Sequence, residues 1–245
     1  MTPALPGTVE VSADAEALAE RATEWVVATQ AAAIASAGAF SIALAGGSTP
    51  KALYQRLASP PHRDTLDWSR WHVYFGDERA APPDHPESNY RLARTTLLDH
   101  VPIPPGQVHR MEAERPDLDA AAAEYSALLE GALPAGPAGA PRLDVILLGI
   151  GTDGHTASLF PGTPALEVVD AWATRGLATY EPYDRITVTF PLINGGAAVA
   201  FLVSGESKRA ALAGVVAGTV PAARVRPTHG ELRWFLDRAA AGPGG

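Results

Sequence analysis

LDVILLGIG (143–151) is the most apolar run in the chain, and it closes on glycines. A short continuous apolar run of this kind reads as a central strand with both faces covered. FSIALAGG (40–47), WHVYFGDE (71–78) and AAVAFLVSG (197–205) read the same way. Residues 174–180, RITVTF (185–190) and ELRWFLD (231–237) read as further strands. Helices fall between them. Ala15, Leu18, Ala22, Trp25, Val26, Ala33 and Ile34 form an i, i+3, i+4 stripe over 14–37, which Gly38 ends. STPKALYQRLA (48–58) reads as a helix with Ser48 or Thr49 as N-cap and Pro50 in its first turn. Residues 88–99, with Ser88 as cap, 117–131 and 206–218 complete the set. Apolar strands alternating with helices predict an α/β fold: a doubly wound, mainly parallel sheet with helices on both faces. PAGPAGAP (134–141) reads as a surface loop between strands of one sheet, so residues 1–245 are expected to form a single α/β domain.

Composition narrows the function. The chain is 47% hydrophobic and 19% charged, enough apolar material for a large core. It has no cysteine, which excludes disulfides, thiolate nucleophiles and Cys-ligated metals. No His or acid spacing resembles a metal site, and none is expected. No apolar run is long enough to span a membrane, and the N-terminus lacks the basic and apolar regions of a secretory signal, so a cytoplasmic protein is expected. The net charge of −8, with no basic stripe, argues against nucleic acid as a partner. An anionic ligand would need locally placed cations. Lysine occurs only at 51 and 208, which fits either an arginine bias or selective use of a compact charge.

In a parallel sheet, ligands bind at the carboxyl ends of the strands. Four motifs lie at such ends: 46–50, 76–79, 149–155 and 205–208. GGSTP (46–50) opens a helix, where backbone N–H groups favour an anion, although an ordinary helix cap has the same pattern. GIGTDG (149–154) matches a dinucleotide fingerprint, but Pro161 and Gly162 cut the following helix to about two turns, and no strand leads to Asp170. His155 follows that turn. An imidazole at a helix start is held neutral and can act as a base, with Asp153 to orient it or take part itself, although a histidine that merely caps a helix has the same pattern. GDER (76–79) offers Asp77 and Glu78 for acid–base work or for a solvated ion pair. Asn89 suits a sugar hydroxyl or a helix start. Arg185 and Lys208, with GGSTP, are the ingredients of a phosphate site.

Taken together, GGSTPKALYQ, FGDERAAPPDHPESNY, GIGTDGHTASLFPG and RITVTFPLIN…FLVSGESK resemble the 6-phosphogluconolactonase family, in that family's order, over most of residues 45–210. The resemblance implies a sugar-phosphate lactone as the small-molecule partner, hydrolysis of 6-phospho-D-glucono-1,5-lactone in the oxidative pentose phosphate pathway, and no cofactor. It implies that His155 is the general acid/base, and Asp153 and Asp77 are the candidate carboxylates to assist it. Gly47, Ser48, Thr49, Arg79, Asn89, Arg185 and Lys208 would bind the substrate and its phosphate. The related glucosamine-6-phosphate deaminases carry an acid soon after their GHIAF-like segment and DEY in place of DER. Here no acid follows GHTASLFPG before Glu167. Sugar-phosphate sensors of the same superfamily need a DNA-binding segment, and the residues ahead of the first apolar strand offer one helix with little basic charge. Nothing in the chain specifies an oligomeric state.

Overall fold

In chain order the elements are β1 (Thr8–Ser12), α1 (Ala15–Ala37), β2 (Phe40–Leu44), α2 (Ser48–Leu57), α3 (His62–Thr65), β3 (Trp71–Phe75), β4 (Asp77–Arg79), α4 (Asn89–Thr96) and α5 (Leu118–Ala132). Then follow β5 (Val145–Leu148), β6 (Ala173–Leu177), β7 (Asp184–Val188), α6 (Phe190–Gly195), β8 (Ala198–Val203), α7 (Arg209–Ala217), β9 (Glu231–Asp237) and α8 (Arg238–Ala241). They are those of a computed structural model that describes residues 4–137 and 139–242. Helix α1 begins and ends where its sequence dictates. The Asp14 carboxylate accepts from the N–H groups of Glu16 and Ala17, and Gly38 closes the helix at φ 79° in the left-handed region.

Six strands form a parallel sheet in the order β1–β9–β8–β5–β2–β3. Every residue of β2, β5 and β8 is buried, so both faces of the centre are covered. From β2 the chain winds outward to β3. It returns at β5 on the other side of β2, then continues through β8 to β9. The winding direction therefore reverses between β2 and β5. Loops leaving the two strands diverge and open a crevice at their carboxyl ends. One apolar cluster runs from Leu18 on α1 to Ala240 on α8. No helix among the described residues is long and apolar enough to cross a membrane.

The runs at 174–180 and 185–190 do not enter this sheet. They form β6 and β7 of a separate antiparallel sheet, in the order β4–β7–β6. The reason is chain length. A parallel neighbour needs a crossover of a dozen or more residues, and the connection 178–183 allows only a hairpin. Gly76 joins the two sheets: its N–H donates to Leu44 O at 2.9 Å, and its carbonyl accepts from Val188 N at 2.9 Å. β1 is an edge strand that the apolar pattern does not announce, because most of TVEVS is exposed.

Two buried tyrosines finish the strands that lead into the crevice. The Tyr54 hydroxyl, on α2, accepts from Ala45 N at 2.9 Å and donates to Ala45 O at 2.7 Å. The Tyr125 hydroxyl, on α5, accepts from Phe75 N at 2.9 Å. Each satisfies main-chain groups that the sheet no longer pairs, so the chain can turn away without a buried unmet donor. Asp237 does similar work at the end of β9. It accepts from Gly205 N, from the Ser204 hydroxyl at 2.6 Å and from Ala240 N at 2.7 Å. Burial pushes its pKa up, but these hydrogen bonds outweigh that and hold the carboxyl below its usual range.

Tyr54→Phe should therefore destabilise the fold by about 1–3 kcal/mol, the cost of leaving a buried N–H unpaired, as read by urea denaturation. For Asp237, a folded pKa below the unfolded one gives stability that is present above the unfolded value and lost as pH falls through the folded one. Asp237→Asn should be least stable relative to the parent at neutral pH. The gap should narrow below about pH 4, the range of an unperturbed aspartate.

Candidate active site

The crevice is a cleft of about 220 Å³ at the carboxyl ends of β2 and β5. Gly46 and Gly47 line it from the turn after β2, Asp77 and Arg79 from β4, and Asn89 from the start of α4. Gly149, Gly151 and His155 come from the loop after β5, and Lys208 from the turn after β8. All four strand-end motifs thus meet in one place. Ser48, Thr49, Asp153 and Arg185 do not line the cleft themselves but adjoin residues that do.

His155 does not start a helix. Residues 152–163 form turns and an isolated bridge between Thr156 and Leu159. Ala157 at φ 47° and Gly162 at φ 72°, with Pro161 between them, leave no room for helical turns. The imidazole is held by local contacts instead of a helix dipole. Asp153 Oδ1 lies 2.5 Å from His155 Nδ1 and also accepts from His155 N at 3.2 Å. The ring stacks on Phe160, with centroids 4.0 Å apart and planes 27° from parallel. It also fills the space above Gly151, where an added Cβ would sit 2.1 Å from Nδ1. Glycine at 151 is thus required by close approach. With Nδ1–H donated to Asp153, the neutral ring carries its lone pair on Nε2.

β4 separates the two carboxylates of GDER by strand alternation. Asp77 lines the cleft and is held on three sides. Asn89 Nδ2 donates to its Oδ1 at 3.0 Å and to its carbonyl at 2.9 Å, and the Ser158 hydroxyl donates to Oδ2 at 2.6 Å. Glu78 is buried outside the cleft. It accepts from the N–H groups of Arg79, Asn89 and Tyr90 and from the Ser88 hydroxyl. Burial pushes its carboxyl up against those bonds. Glu78 therefore caps the start of α4. Through Asn89, α4 braces both Asp77 and Arg79, whose Nη1 donates to Asn89 Oδ1 at 2.8 Å.

The cations differ in depth. Arg79 and Arg185 are register partners across β4 and β7. Arg185 is 1% exposed, and its guanidinium lies 5.6 Å from the Tyr180 ring centroid. Burial, and then the Arg79 charge, lower its pKa. Arg79, Arg185 and Lys208 form no ion pair with a described carboxylate. Two neighbouring arginines without a counter-anion form a site suited to a phosphate or carboxylate. The turn after β2 adds to it. Gly47, not Ser48 or Thr49, is the N-cap of α2, at φ 102°, a conformation that favours glycine. The first turn leaves the Ser48 and Thr49 N–H groups without intrahelical acceptors.

Sequence reasoning did not single out Ser158, Phe160 or Tyr180. Ser158 and Phe160 lie within GHTASLFPG, but only the tertiary fold shows which neighbours they meet. Tyr180 sits in a hairpin that carries no motif. Among the described residues no group of three or more His, Asp or Glu side chains is arranged to hold a metal ion.

A profile for the family described as glucosamine-6-phosphate isomerases/6-phosphogluconolactonase matches residues 13–234. The chain is 44% identical over 238 residues to a 6-phosphogluconolactonase of Nostoc sp., covering 95% of this chain and 96% of that protein. It is 44% identical over 237 residues to the 6-phosphogluconolactonase of Synechocystis sp., with coverage of 95% and 96%. The solved structure of Trypanosoma brucei 6-phosphogluconolactonase superposes with a TM-score of 0.86 at 32% identity, over 97% of this chain and 98% of that one. With its winding reversal at β2 and β5 and its cleft built from the same four motifs, the chain belongs to the glucosamine-6-phosphate isomerase/6-phosphogluconolactonase family.

Proposed function

We propose that this protein hydrolyses 6-phospho-D-glucono-1,5-lactone to 6-phosphogluconate, with His155 as the general acid/base. The observation that carries the reading is the placement of the His155–Asp153 pair in one cleft with Arg79 and Lys208, cations that have no carboxylate partner. A base and anion-binding groups lining one cleft suit a phosphorylated ester. Relatives named for this activity support the assignment.

In the reaction, His155 Nε2 takes a proton from water as that water attacks C1. Asp153 keeps the proton on Nδ1 and offsets the charge that the imidazolium gains. Hydrogen-bond donors of the cleft wall beside C1 stabilise the tetrahedral oxyanion. His155 then returns the proton to the ring oxygen as its bond to C1 breaks. No covalent intermediate is needed. Asp77, fixed by Ser158 and Asn89, accepts from the sugar hydroxyls and orients the ring. Arg79, Arg185, Lys208 and the start of α2 hold the phosphate. Binding energy from that remote group positions C1 against the water.

With the lactone generated in situ and its spontaneous hydrolysis subtracted, His155→Ala should lower kcat by roughly 10²–10⁴-fold. A folded variant with parental kcat would remove His155 from the chemistry. Arg185→Met should raise KM for the phosphorylated lactone far more than for glucono-1,5-lactone. Equal losses on the two substrates would show that Arg185 does not serve the phosphate.

A further inference from the structure

Arg185 is a buried cation at the edge of the cleft, and one side chain of the cleft lining packs against it. Tyr180 lines the cleft, and its ring lies over the Arg185 guanidinium at 5.6 Å. The same ring meets Phe160 edge-on at 5.7 Å and 77°, and Phe160 stacks on His155 at 4.0 Å. A continuous row of contacts therefore runs from the acid–base residue to the buried cation. Tyr180 is the member of that row that faces solvent, at 48% exposure. It belongs to the 178–183 hairpin, whose neighbours Leu177 and Tyr183 are also exposed at 47% and 50%. An aromatic ring left half-exposed on a cleft wall over a buried charge is poorly explained by core packing.

We propose that Tyr180 is a specificity-determining residue, a wall between His155 and Arg185 that selects lactones carrying a phosphate. The proposal rests on the lactonase reading above and adds a residue to it. The ring keeps water from Arg185 on the cleft side, so the guanidinium charge acts on a bound anion through a poorly screened path. By packing on Phe160, it also fixes the distance between the phosphate end and the imidazole. A ligand without phosphate gains nothing from either effect. The ring supplies the wall, and a phenylalanine keeps it without the hydroxyl.

The test is calorimetric titration of the parent, Tyr180→Phe and Tyr180→Ala with 6-phosphogluconate and with gluconate, beside kcat and KM on the phosphorylated and plain lactones. Tyr180→Ala should weaken 6-phosphogluconate binding by roughly tenfold, because water admitted beside Arg185 screens its charge. KM for the phosphorylated lactone should rise in parallel, with gluconate binding nearly unchanged. Tyr180→Phe should stay within about threefold of the parent. Tyr180→Leu serves if the alanine variant unfolds. Equal losses with and without phosphate, or no loss in either variant, would overturn the proposal. So would parental binding that ignores the phosphate. Phosphate-selective binding lost in Tyr180→Ala, in a protein with no turnover of the lactone, would sustain Tyr180's role and sink the lactonase reading instead.

Discussion

The parallel pairing of β2 with β5 is the constraint on which the site depends. Ile42 and Ala43 pair with Val145 and Ile146, strands from distant parts of the chain. Because the winding reverses there, the loops after β2 and β5 must separate rather than pack together. The space between them becomes the cleft. Had β5 been added beyond β3, the GGSTP turn and His155 would lie on opposite sides of a strand. The Tyr54 and Tyr125 hydroxyls make the arrangement affordable in hydrogen bonds, since they close the ends of β2 and β3 where the sheet stops pairing.

The second sheet supplies what the first cannot. Parallel strands deliver loops to one end of the sheet, but they do not cover a site from the side. The antiparallel β4–β7–β6 sheet, hinged at Gly76, brings Asp77, Arg79 and Arg185 to the flank of the cleft and carries the Tyr180 hairpin over it. Its centre is held by side chains from elsewhere. Ser158 donates to Asp77, while Asn89 bridges Asp77 and Arg79. Ala157, beside Ser158 on the cleft wall, is the one described non-glycine residue at positive φ. Backbone strain of this kind is maintained where surrounding structure over-determines it.

Electrostatically, the cleft runs against the chain as a whole. A protein of net charge −8 repels anions at long range. Here, though, the unpaired cations are close to one another and partly desolvated, so their local pull is screened less than the diffuse negative surface. Surface arginines such as Arg115 and Arg175 are neutralised by Glu124 and Asp184. Arg185 is left without such a partner although it is buried, which is unfavourable unless an anion arrives.

The sequence by itself determined the central sheet, because continuous apolar runs ending in glycine fit buried parallel strands. It determined the helix limits where caps are local, at Gly38 and Ser88. It also placed the four motifs at strand ends, a clue to function, while their meeting in one cleft was left to the tertiary fold. The structure showed that 173–188 leaves the main sheet, a departure that the short 178–183 connection already signalled in the sequence. It decided that DGHTASLFPG is a set of turns, with Asp153 and Phe160 rather than a helix dipole holding His155. It also decided which carboxylate of GDER faces the ligand. Strand alternation sends Asp77 and Glu78 apart, but which of them faces inward depends on what packs against each. Local patterns specify elements and their ends. Partners far apart in sequence, such as Asp77 with Ser158 or Arg185 with Tyr180 across a hairpin, meet only after the layers have packed.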